Sequence, residues 1–365
     1  MCFRSPFLAI LLLPFLYVAV MSQGFSNAKY AGDFLALGAG ARSAGLGGTG
    51  VSISGDATAG YFNPAGLAEI SYPQIALFHE SRFSGIINYD YLAGAYPVDA
   101  DQTVAVSAVR LGYGEIADTR AALVDNDNDG ELDEDDRIDP NLVEYSGSSD
   151  WAFLGSYARR IDDKLSVGGS LKVIHRSIVD GSGWGIGVDL SARYRPVPAL
   201  SLAATLHDAT KSLISWNTGH QEFIVPNIRL GVGYDLRLGE SHRLSPAVDG
   251  HLRFEGRSSA TQVDLGIGSL DATGGLEYAY DESLFARIGY TDLEQITFGA
   301  GVRLPKLDID YALTTEGTEL EGFGATHRVS LQLTLVEDDL RRPGLEAPTE
   351  TPAPISTPID TDSPE

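Results

Sequence analysis

The sequence predicts an all-β fold, a 14-stranded antiparallel transmembrane β-barrel with an N-terminal plug segment. Three observations lead there. An apolar leader directs the chain out of the cytoplasm, a hydrophobic period of two runs from Ser71 to Leu335, and the links between the apolar runs alternate between short and long.

The leader reads MCFRSPFLAILLLPFLYVAVMSQG. Arg4 precedes an apolar run from Phe7 to Val20, and small or polar residues follow at Ser22 to Gly24, the layout of a secretory signal peptide over residues 1–23. The run holds about 14 residues against the ~20 that a helical membrane span needs. The single cysteine, Cys2, lies before the run rather than after it, so the arrangement for lipid attachment is missing and no disulfide can form within the chain.

Residues 24–70 come next. Their core, GDFLALGAGARSAGLGGTGVSISGDATAGYFNPAGLAEI, is rich in small residues and too apolar for a solvated arm, so it must pack against something. Pro64 pushes Asn63 out of helical geometry, and Asn63 can then cap or pin a turn with Gly66 behind it. Phe34, Leu35, Leu37 and Phe62 are apolar enough either to pack such a plug or to line a pocket beside it.

The barrel itself is read over residues 71–336. In NIRLGVGYDLRL, Ile228, Leu230, Val232, Tyr234, Leu236 and Leu238 share one face, with Arg229, Gly231, Gly233, Asp235 and Arg237 on the other. Such runs fall at 75–83, 86–97, 102–113, 151–160, 164–177, 184–195, 200–208, 226–236, 244–256, 271–281, 284–291, 296–303, 307–315 and 325–335. Most have about the 9 to 11 residues that cross a bilayer at a tilt. Tight links (DADQ, PVPA, GESH, LPK) alternate with longer ones at 114–150, 178–183, 209–225, 257–270 and 316–324, as short periplasmic turns alternate with external loops, the short first external link around Phe83 to Gly85 being the exception. A secreted β-sandwich would also alternate apolar and polar residues but gives no reason for the links to alternate. In a barrel the apolar face meets lipid and the Gly-rich face lines the interior. Trp151, Trp184 and Trp216 fall near external strand ends, where interface aromatics are expected. Residues 337–365, acidic and Pro-rich without apolar period, read as a disordered tail.

Inside the external insertion at 114–150 stands DNDNDGELDEDD. Asp125, Asp127 and Asp129 occupy positions 1, 3 and 5 of a calcium loop, Gly130 supplies the turn, Glu131 stands at 7, Asp133 at 9 and Asp136 at 12. No helix-forming sequence flanks it, so Ca2+ there would stiffen an exposed loop rather than drive a sensor. The alternative is a solvated acidic loop.

A formal net charge of -24 without a basic stripe excludes nucleic acid as a partner. The seven histidines show no metal-ligand spacing, GDATAG and GLGGTG lack the Lys-Ser/Thr of a phosphate loop, and no serine sits in a nucleophile elbow. The expectation is a protein that is not an enzyme, set in an outer membrane with lipid as its first partner.

FLALGAGARSAGLGGTGVSISGDATAGYFNPAGLAEI resembles the amino-terminal segment of the PorV/PorQ family, relatives of the FadL fatty-acid channel. HESRFSGIINYDYLAGAYP at 79–97, GGLEYAYDESLFARIGY at 274–290, IDYAL and GFGATHRVSLQL extend the resemblance over most of the mature chain. The resemblance implies a fourteen-stranded barrel whose amino-terminal segment, with Asp56, Asn63, Pro64 and Gly66 as its motif, folds inward as a plug or hatch. It also implies a component of type IX protein secretion whose partners are the translocon, the attachment-complex proteins and the C-terminal signal domains of cargo. A FadL-like channel for long-chain fatty acids or other hydrophobic small molecules is the alternative. The acidic loop and the continuation past Leu335 depart from the family pattern.

Overall fold

The computed structural model describes residues 32–124, 137–178, 181–254, 261–315 and 326–343. Asp125, Asp127, Asp129, Glu131, Asp133 and Asp136, for which a calcium loop is the expectation, lie outside the described residues, as do the leader 1–23, residues 24–31 of the expected plug and the tail from 344 onward.

Fourteen antiparallel strands form the wall: β1 (Gln74–Arg82), β2 (Ile87–Pro97), β3 (Gln102–Asp118), β4 (Glu144–Arg160), β5 (Leu165–Ile178), β6 (Gly181–Val197) and β7 (Leu200–His207), then β8 (Asn227–Tyr234), β9 (His242–Arg253), β10 (Ser269–Tyr280), β11 (Leu284–Tyr290), β12 (Ile296–Arg303), β13 (Leu307–Thr314) and β14 (Thr326–Thr334). Each pairs with the next. β14 returns to β1 in the register Gln74↔Thr334 to Ser81↔His327, which closes the barrel and leaves no unpaired edge.

The alternation sets the two faces. Leu230, Val232, Ile186, Leu190, Val248 and Ile288 are 47% to 57% exposed on the outside, while their neighbours Gly231, Gly233 and Asp189 are buried inside. A water-soluble sandwich would hide the first set; here it forms a belt for lipid. Tyr96, Tyr157, Tyr194, Tyr234 and Tyr278 rim the belt at the short-turn end, and Trp184 and Tyr290 stand toward the long-link end. Among the described residues no helix is long and apolar enough to cross a membrane.

The structure corrects four expectations. β3 and β4 run past the anticipated 102–113 and 151–160 into the insertion, pairing Ile116 with Ser146 and Asp118 with Glu144 beyond an irregularity at Tyr113/Ile116. This part carries no apolar period because above the membrane both faces meet water. The 209–225 link contains a hairpin, Ser212–Trp216 with Gln221–Ile224, whose first strand pairs with the upper part of β6 (Leu213↔Ile186). Trp216 on that hairpin is buried, with the Arg176 guanidinium 5.7 Å from its ring, and is no interface residue. The tail begins later than its composition suggests: residues 337–343 are still held to the barrel, because Arg342 donates to the carbonyls of Ile70 (2.7 Å) and Ala100 (3.2 Å) and is 1% exposed.

Candidate functional site: the filled lumen

Residues 33–70 pack against the inward face of the wall. They fold as a 3-10 turn (Asp33–Ala36), helix α1 (Ala41–Gly45), helix α2 (Ala59–Phe62) and a second 3-10 turn (Pro64–Glu69). Asn63 is extended (φ -156°, ψ 94°), as Pro64 requires. Its Oδ1 accepts from Ala65 N (3.1 Å) and its Nδ2 donates to Ala192 O (3.3 Å), so the residue caps a turn and ties it to β6. Asp56 Oδ1 accepts from Thr58 N (2.9 Å) at the start of α2, and a Cβ on Gly66 would overlap the carbonyl of Ser54. These four residues shape the segment, and Asp56 also borders a cavity.

Backbone meets backbone where segment and wall touch. Gly47 has φ 74°, and Cβ atoms on Gly47 or on the facing Gly289 would overlap main-chain atoms of Tyr290 and Gly47 respectively. Gly168 stands the same way against Ala65.

Charged side chains on the inward face complete the contact. Arg42 of α1 donates from Nε and Nη2 to the two oxygens of Glu277 (2.9 and 3.0 Å). Arg287 donates to Glu277 Oε2 (2.7 Å) and to Asp310 Oδ1 (2.6 Å). The Glu277 carboxylate raises the Arg42 pKa above its usual value against the loss of water, so the guanidinium stays charged. Asp249 Oδ2 accepts from the backbone N–H of Gly50 (2.7 Å) and Val51 (2.9 Å). Lys172 Nζ lies 2.9 Å from Asp189 and 2.7 Å from Asp208, and Glu69 pairs with Arg193 and Arg195.

Two large cavities flank the segment. One of about 890 Å³ opens at the short-turn end, with Arg42, Asp56 and Glu69 of the segment facing Arg195, Arg243 and Asp308 of the wall. The other, about 400 Å³, lies at the long-link end between Leu37, Ala44 and Gly48 of the segment and Arg229, Thr291 and Arg328 of the wall. A pocket of about 70 Å³ beside Leu35, Tyr61, Lys172 and His207 adds little space. Of the four apolar residues expected to pack or to line, Phe34 and Phe62 are buried in the apolar cluster with Tyr61 and Tyr91, whereas Leu35 and Leu37 reach a cavity. The hydroxyl of Tyr61 reinforces that packing by donating to Leu35 O (2.5 Å). The sequence reading missed Arg42, Glu277, Arg287 and Asp310. Their signal is positional, since the last three are charges at inward places of an alternating strand. Among the described residues no three His, Cys, Asp or Glu side chains are arranged to hold a metal.

No protein-family model matches the sequence, and no curated protein is significantly similar to it. Solved structures are similar in fold. The CymD monoaromatic hydrocarbon channel is 13% identical, with 83% of this chain covering 99% of that one at a TM-score of 0.51. The P. putida toluene transporter TodX is 12% identical, with 83% of this chain covering 100% of that one at a TM-score of 0.50. The Ralstonia pickettii toluene transporter TbuX is 15% identical, with 82% of this chain covering 99% of that one at a TM-score of 0.49. By its closed wall and its lipid-facing belt, the chain is a fourteen-stranded antiparallel β-barrel of the outer membrane.

Proposed function

We propose that this barrel is a channel for a small hydrophobic molecule, with residues 33–70, the described part of the segment, acting as its plug. The observation that carries the reading is the place of residues 33–70 between two cavities of about 890 and 400 Å³, held to the wall by polar contacts along its length. Passage then requires the segment to shift, not to leave. The ligand class is supported by the fold shared with a monoaromatic hydrocarbon channel and a toluene transporter. In this reading the chain conducts its ligand and catalyses no reaction. The test is uptake of labelled toluene and of labelled oleate by the parent strain, a deletion strain and the complemented deletion. A drop of at least fivefold for either compound, restored by complementation, supports the channel; equal uptake of both overturns it.

A second reading keeps one observation for itself. The cavity of about 890 Å³ carries Glu69, Arg195, Arg243, Glu282 and Asp308 among its lining residues, a charged rim that suits a protein that receives a folded domain. With the PorV/PorQ resemblance, this supports a role in type IX secretion, receiving cargo through C-terminal signal domains and passing it from translocon to attachment complex. Selective retention of such cargo in the periplasm of the same deletion strain supports that role. Unchanged export removes it.

A further inference from the structure

One guanidinium in the lumen has no carboxylate. Arg229 stands at an inward place of β8, near the long-link end, between Thr205 of β7 and His251 of β9 in the ladder. Among the described residues its side chain makes no ion pair and no hydrogen bond, and its Nε is buried without an acceptor. The chain holds 50 acidic residues to 26 basic ones, so carboxylates are not scarce. Other arginines beside the same cavity are paired: Arg82 and Arg328 share Glu80, and Arg253 takes Asp271.

Arg229 borders both the cavity of about 400 Å³ and the small pocket of about 70 Å³. The carboxylates on that lining are engaged elsewhere. Asp249 accepts from the N–H groups of Gly50 and Val51, Asp271 and Asp292 stand with Arg253, and Asp33 is likewise partnered. A planar guanidinium left without a carboxylate beside a cavity matches the two oxygens of one brought by a ligand, and an enclosed site strengthens that bond because little water competes. The apolar surface beside it is short, made by Leu35, Ala36 and Leu37 of the segment with Phe254 of the small pocket. Beyond them the larger cavity is lined by Thr291, Thr314, Thr326 and Gln295, which suits one aromatic ring rather than a long alkyl chain.

We propose that Arg229 is the specificity-determining residue of the lumen and holds the carboxylate of a small aromatic acid, a molecule of the size of benzoate. This rests on the channel reading and narrows it, since the molecule conducted then has an anionic end and is not a neutral hydrocarbon. The carboxylate sits on Arg229 and the ring against Leu35 and Leu37. Those two leucines belong to the 3-10 turn at Asp33–Ala36 and its C-cap, so wall and plug read the ligand together, one by its charge and the other by its ring.

Calorimetric titration of the whole barrel, purified from outer membranes into a neutral detergent, tests this with sodium benzoate, benzamide and sodium acetate as probes. Heat-modifiable gel migration checks that each variant is folded. Benzoate is expected to bind about tenfold or more tightly than benzamide, its uncharged analogue, and than acetate, which lacks the ring. Arg229→Gln should weaken benzoate about tenfold or more and leave benzamide within about twofold, and Arg229→Lys, which keeps the charge, should recover part of the loss. Equal binding of benzoate and benzamide by the parent protein, which requires no variant, overturns the proposal. So do an affinity for benzoate that Arg229→Gln leaves unchanged, acetate bound as tightly as benzoate, and no binding of benzoate at all. The uptake of toluene and oleate judges the channel separately: a barrel that conducts either and binds no benzoate keeps the channel and loses this proposal.

Discussion

Arg42 on α1 and Glu277 on β10, 235 positions apart in sequence, are joined by two parallel hydrogen bonds of 2.9 and 3.0 Å. Glu277 is 1% exposed and also takes a bond from Arg287, so one carboxylate compensates a guanidinium on the segment and another on the wall. The pair is where filler and container share a charge.

Glu277→Gln removes that charge and takes a partner from three guanidinium groups, those of Arg42, Arg287 and Arg243, a change expected to cost about 3 kcal/mol of stability. Glu282→Gln, which breaks an exposed pair of Arg243 at a short turn, is expected to cost about 0.5 kcal/mol. Urea unfolding of the refolded barrel reads both. Equal losses would mean that Glu277 is no more important than a surface carboxylate.

Gly289→Ala puts a methyl group into the backbone of Gly47, while Gly155→Ala meets open space within 4 Å. The first is expected to destabilise by about 2 kcal/mol or more through overpacking and to shift the segment, and the second to stay within about 0.5 kcal/mol of the parent. Susceptibility of residues 33–70 to added protease, measured with the barrel in liposomes, should rise only for Gly289→Ala.

The belt makes a directional prediction. Leu230→Arg on the outside of β8 is expected to cost about 2 to 4 kcal/mol, as a cation facing hydrocarbon, and Leu238→Arg beyond the Tyr234 rim about 0 to 1 kcal/mol. Equilibrium folding into liposomes gives the comparison. Equal costs would remove Leu230 from the lipid face.

Acid should act first at the short-turn rim. Backbone N–H groups of Lys164 and Leu165 hold Asp162 below the usual carboxylate range, those of Asp101 and Gln102 do so for Asp99, and the Arg243 side chain does so for Glu282. Folded values below the unfolded ones mean that the stabilisation is complete above about pH 4 to 5 and is lost as pH falls through the folded values. The melting temperature is therefore expected to be flat from pH 7 to about 5 and to fall below about 4. Asp162→Asn should flatten that slope, and a slope rising toward acid would contradict the assignment.

The wall was legible because two physical rules act along the chain itself. Alternation at Leu230, Val232 and Tyr234 follows from the strand's period, and the short links follow from hairpin geometry. The hairpin at Ser212–Ile224 was not legible, since strands of five and four residues carry too few alternations. Arg42 was hidden for a different reason. It lies in a segment with no strand period, and its partner is fixed only once the barrel closes. The motif Asn63-Pro64 could be read locally because Pro64 constrains its own neighbour, whereas the burial of Phe34 and Phe62 depends on side chains contributed by distant strands.

Arg342 sits beyond β14, yet it donates to Ile70 ahead of β1 and to Ala100 and Thr103 after β2. The joint between the first and last strands is thus stapled from outside the sheet by Arg342, beside the Leu335 N–H that donates to Pro73 O at 2.9 Å. That staple cannot form while the ends of the wall are apart, and an assembly halted before closure lacks it. It works as a clasp, holding shut the one seam that is made by meeting rather than by turning. A chain missing Arg342 should still bend its hairpins, and would be expected to fail at the join.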